Sequence, residues 1–146
     1  MKDLFASLAA ALVATVVLSV LMMAKTAMGL MPELNVIAML AGQMNAGPAA
    51  GWTVHVLIGV VGYGLAWALL FRRLPVGGHA VRGVVLGVVG WLVMIAVMPM
   101  AGAGLFGLSI GAMAPVATLV LHAVFGLALG LSFGLLRSAG LREAQA

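Results

Sequence analysis

Apolar residues run along this chain in four long blocks instead of alternating with polar ones. The blocks are about Leu4–Leu30, Trp52–Phe71, Val81–Ala101 and Ala112–Leu136. A helix needs about 20 residues to cross a hydrocarbon core of roughly 30 Å, and each block supplies them. No period-two strand pattern appears within them. Lipid offers no partner to an unpaired backbone group, so each block is predicted to be a helix. The first is preceded only by Met1-Lys2-Asp3 and followed by no clean small-residue cleavage site, so it reads as a retained helix and not a signal peptide. Between the first two blocks lies "MPELNVIAMLAGQMNAGPAAG". Pro32 and Glu33 suit a helix start. Val36, Met39, Leu40 and Met44 then fall near one face, which predicts a short interfacial helix over about 33–44. "NAGPAAG" reads as a turn-rich link. The predicted fold is an all-α, four-helix transmembrane bundle in one domain, 1–146, with loop 72–80 joining its halves.

Charge orients this pattern. Lys2, Arg72, Arg73, Arg82, Arg137 and Arg142 all fall at one end of a four-span topology, and Lys25 is the exception. The positive-inside rule therefore predicts both termini and the "FRRLPVGGHAVR" loop to be cytoplasmic, in a bacterial inner membrane. Composition agrees: 65% of residues are hydrophobic and 7% charged, against about half and a quarter in soluble domains. The high pI, near 10.9, reflects these span-end residues. They form no aromatic-interleaved patch, so nucleic acid is not an expected partner. With no cysteine, disulfides and thiolate metal sites are excluded.

The chain also reads as two similar helical hairpins. "HVLIGVVGYGLAWALL" from His55 resembles "HAVFGLALGLSFGLL" from His122, each opening on H-x-x-x-G. "MAKTAMGL" (Met23–Leu30) likewise resembles "MPMAGAGL" (Met98–Leu105), setting Met23 against Met98 and Lys25 against Met100. Both hairpins start inside, so the repeats are parallel, related by an axis along the membrane normal. The stretches "MGLMPELNVIAMLAG", "GWTVHVLIGVVGYG", "VMPMAGAGLFG" and "LHAVFGLALG" together resemble a family of small bacterial four-span membrane proteins that is a domain of unknown function. The resemblance covers nearly the whole chain and implies the four-helix architecture, without an activity.

Polar residues inside a membrane usually face the bundle interior and mark function. His55 lies 17 residues before Arg72, or roughly 25 Å along a helix, and His122 lies 15 before Arg137, or roughly 22 Å. Met98, 16 residues after Arg82, comes to a similar depth at roughly 24 Å. Spans two and four are diagonal in an up-down bundle, so the two imidazoles are expected to face each other across its axis. Two imidazoles at one depth, beside small residues, are what haem b requires. His55, Gly59, Gly62 and Ala66 form one small face, and His122, Gly126, Gly130 and Gly134 another. Lys25 would sit where haem propionates need a cation, or would pair with Glu33. Close helix packing explains the same glycines without a cofactor.

Copper is the other candidate cofactor. Thioether and imidazole form a copper(I) set, and Met98 and Met100 flank Pro99, which must kink or end the third helix. Most of the 11 methionines are expected to be flexible filler. The histidines would also be satisfied by each other, by Thr53 or Thr118, or by backbone. Trp52 fits an interfacial anchor, Tyr63 is mid-span and needs a partner, and His79 reads as a solvated loop residue. No catalytic constellation appears among the three acids, Asp3, Glu33 and Glu143. The reading is a small membrane protein binding haem b between His55 and His122 for electron transfer or redox sensing. Its alternatives are an accessory subunit of a larger membrane complex or homo-oligomer with buried, satisfied histidines, and outer-leaflet copper binding.

Overall fold

Long apolar blocks give long helices. The structure, a computed structural model, describes residues 2–143. It is 80% helical, with no strand among the described residues. In chain order come α1 (Lys2–Ala27), α2 (Val36–Gln43), α3 (Pro48–Val56), α4 (Tyr63–Leu69), α5 (His79–Val97) and α6 (Ala114–Glu143). Four stretches are long and apolar enough to cross a membrane: Asp3–Ala27, Pro48–Arg73, His79–Ala101 and Ala114–Gly140. The second is composite. α3 and α4 are joined by a π-helical segment, Leu57–Gly62, and a 3-10 turn over Phe71–Arg73 ends it.

The spans are arranged as a horseshoe in the order two, one, four, three. α1 packs on the second span on one side and on α6 on the other, and α5 lies along α6. Spans two and three close on each other mainly near the basic end, through α4 and the Phe71–Arg73 turn. Small residues explain the close sides. A Cβ on Gly126 would run into the Gly83 carbonyl, one on Gly87 into the His122 carbonyl, and one on Gly130 into the His79 carbonyl. α5 and α6 therefore touch backbone to backbone, the close approach that small-xxx-small patterns permit where lipid removes the hydrophobic drive for association. Gly59 and Gly64 let the second span sit close on α1, against the side chains of Thr15, Leu8 and Ala11.

The core sits toward the basic end. Ala10, Ala11 and Ala14 give α1 a flat face, and Trp67, Phe125, Leu129 and Phe133 fill the space it leaves. Trp67 and Phe133 meet edge to face at 5.3 Å between centroids. Below this core Asp3 binds Arg72 at 2.7 Å and Arg137 at 3.3 Å, tying the ends of spans one, two and four. Asp3 and Arg137 are about two-fifths exposed, so these pairs are each worth roughly 0–1 kcal/mol and set geometry more than stability. Arg82 Nη1 adds a bond to the Arg72 carbonyl.

Several expectations change. The short helix starts at Val36, not at Glu33, because Asn35 accepts from the Ala38 amide and takes the capping role. The third helix ends at Pro99 as expected: α5 stops at Val97, and Pro99 sits inside a 3-10 turn, Met98–Ala101. A proline removes the donor that an α-turn would need there. His79 is not a loop residue. It opens α5, with its ring 5.2 Å from Phe133 and 6.3 Å from Trp67. The two hairpins also differ where the repeat would equate them: the second span carries a π-helix and α6 runs unbroken, while Met23 is exposed and its counterpart Met98 is buried.

Candidate functional site

The gap in the horseshoe is the site. A half-open cavity of about 530 Å³ runs between all four spans under the roof of α2. Its wall is apolar almost throughout. The polar groups on it are His55, His122, Tyr63, Thr15, Thr118 and Gln43. The wall residues that are also exposed on the spans are Ile58 and Gly62 of the second and Val89, Val93 and Val97 of the third. The mouth therefore opens sideways, between spans two and three, toward where acyl chains would lie.

The two histidines are held by different partners. His122 Nδ1 lies 2.8 Å from the Thr118 carbonyl oxygen. A carbonyl only accepts, so Nδ1 carries the hydrogen and Nε2 keeps its lone pair. His55 Nε2 lies 3.1 Å from Ser19 Oγ. Ser19 Oγ also lies 2.8 Å from the Thr15 carbonyl oxygen. The same hydroxyl faces His55 Nε2, and either tautomer of that ring completes the contact. Trp52 packs edge-on to His55 at 5.7 Å. The wall hydroxyls are spoken for: Thr15 donates to the Ala11 carbonyl, and Thr118 donates to the Ala114 carbonyl while accepting from Trp91 Nε1 at 3.2 Å. Tyr63 finds no hydrogen-bond partner among the described residues. Its hydroxyl lies over Gly90, where no Cβ would fit, and its ring meets Phe125 at 4.7 Å.

His55 and His122 both reach the one cavity, and Gly59 and Met98 line it with them. The other candidates go elsewhere. Gly126 is used up against Gly83 and Gly130 against His79, so the small face of α6 is covered by α5 and not open to a ligand. Met100 is 81% exposed and outside the cavity, because the 3-10 turn swings it away from Met98. Lys25 meets neither Glu33 nor the cavity: its Nζ donates to the Leu30 and Met31 carbonyls at 3.0 and 2.8 Å, closing the turn after α1. Met22, Met39 and Met94 join the wall in its place. Among the described residues no three His, Cys, Asp or Glu side chains gather into a metal cage.

Sequence reasoning missed Ser19, Trp91 and Phe125. Ser19 carries a legible signal: Thr15 and Ser19 are four apart on α1, one helix face presenting hydroxyls to the neighbouring span. No curated protein and no solved structure matches the chain. Over residues 1–143, however, it matches one family profile, and the chain belongs to that family: Family of unknown function (DUF6789).

Proposed function

We propose that this protein binds a small, largely apolar molecule taken from the bilayer through the mouth between spans two and three. The observation that carries this is the cavity itself: room for a ligand-sized molecule, apolar walls, a few convergent polar groups and a lateral opening. The clustering of Arg72, Arg73, Arg82 and Arg137 at the opposite end from α2 supports a cytoplasmic location for that end.

The test uses the protein in lipid nanodiscs with a photoreactive alkyl diazirine, mapped by peptide mass spectrometry. Gly62 faces open space, so Gly62→Leu adds bulk to the cavity wall without a packing clash. Labelling is expected to concentrate around Met94–Met98 and Leu121–Phe125 and to fall severalfold in Gly62→Leu. Labelling spread evenly over lipid-facing residues, unchanged by Gly62→Leu, overturns the reading.

Haem b is the second reading, favoured by His122. An Nδ1–H held by backbone with Nε2 left free is the usual posture of a metal-ligating imidazole. His55 fits less well, because its Nε2 is committed to Ser19. Protein expressed with adequate haem is expected to show a reduced Soret and α band lost in His122→Ala. A colourless protein ends this reading and leaves the first intact.

A further inference from the structure

The ligand's chemistry follows from where the His122 proton is. Resting on the cavity reading above, we infer that the ligand is a neutral, lipid-soluble molecule bearing a hydroxyl that donates a hydrogen bond to His122. His122 has spent its only N–H on the Thr118 carbonyl, and the Nε2 of His55 is taken up by Ser19. What remains on the His122 ring is a lone pair. The threonine hydroxyl protons on the wall are likewise directed at carbonyls of their own helices. His122 therefore asks for a donor. A ligand that only accepts, such as a quinone or an ester carbonyl, finds no partner in that ring. A hydroxylated molecule satisfies a lone pair that the apolar wall otherwise leaves bare, and an unmet buried acceptor is costly.

The rest of the wall narrows the class. Tyr63 and Phe125 stand together beside His122, three residues before Phe125 on α6, offering ring faces and edges to a flat molecule. The Tyr63 hydroxyl, free of other partners among the described residues, can accept from or donate to a second oxygen. A bare imidazole lone pair also suits a soft cation. The mouth runs through exposed Ile58, Val89, Val93 and Val97, however, a route open to a neutral amphiphile and closed to a hydrated ion. A phenol-type or alcohol-type hydroxyl on an apolar body fits both the route and the walls.

Competition against the diazirine probe in nanodiscs tests this. The competitors are an alkylated hydroquinone, its dimethyl ether (same shape, no donor) and a long-chain alkanol. The hydroquinone is expected to compete about tenfold better than the ether, the equilibrium value of roughly one hydrogen bond. That advantage should vanish in His122→Leu and return in part in His122→Gln, which restores an acceptor. An equal gain for the alkanol supports the proposal and assigns recognition to the hydroxyl alone. A gain confined to the hydroquinone supports it and adds the rings of Tyr63 and Phe125. If the ether competes as well as the hydroquinone while Gly62→Leu still blocks labelling, the donor proposal falls and the cavity reading stands. Displacement by copper(I) but by neither hydroxyl compound overturns the donor proposal in favour of a cation. Labelling insensitive to Gly62→Leu removes both.

Discussion

Gly126→Leu is expected to abolish the folded bundle. A side chain there has no direction in which to yield, because its first carbon already meets the Gly83 carbonyl, which belongs to backbone. Ordinary overpacking of a core costs about 1–3 kcal/mol, absorbed by neighbouring side chains that shift. Here α5 itself would have to withdraw, and Gly83, Gly87 and Gly130 would lose their close seats with it. The interface lost is the most extensive helix pair in the molecule. Thermal unfolding in detergent, followed by size-exclusion, is expected to show no monodisperse species for Gly126→Leu and a markedly lower midpoint for Gly126→Ala. Gly62→Leu, which adds the same bulk facing open space, is the control and should behave as wild type. Wild-type stability in Gly126→Leu would show that the α5–α6 contact is not what holds the spans together.

Trp67→Ala is expected to cost about 3–5 kcal/mol, the range for truncating a buried aromatic. Trp67 is fully buried, and the alanines of α1 beneath it are too small to collapse into the space it would leave. Trp67→Phe should cost distinctly less. Trp67 Nε1 is buried without a hydrogen-bond partner, a burden of roughly 1–3 kcal/mol that phenylalanine removes while leaving most of the ring volume. Equilibrium unfolding in mixed micelles separates the two. A Trp67→Phe protein as unstable as Trp67→Ala would mean that the indole N–H does have a partner in the membrane.

The fold was legible because lipid simplifies it. Length, apolarity and the placement of arginine suffice to find four helices, and the same rule that forbids unpaired backbone leaves few other outcomes. The histidines were legible as a pair for the same reason, since a polar ring in an apolar run stands out. What escaped was azimuth. Whether Gly126 faces a ligand or a neighbouring helix depends on which way α6 is turned, and H-x-x-x-G reads identically in both cases. On the second span His55, Gly59, Gly62 and Ala66 do line one cavity together, with the π-helical segment Leu57–Gly62 lying among them. Lys25 is a different case. A lone cation near a span end looks like half of an ion pair, yet the carbonyls of the turn that follows lie nearer than any acid. The glycines before His79 suggest a loop, whereas they serve to start α5, with Gly78 as its cap.

The sideways mouth between spans two and three has a consequence for how occupancy is set. A pocket facing water reads the dissolved concentration of its ligand. One facing acyl chains reads the ligand's mole fraction within the leaflet, and lipid tails are its competing solvent. Occupancy would then follow membrane composition, so a sparingly soluble compound could fill the site while almost none of it exists free in the aqueous phase.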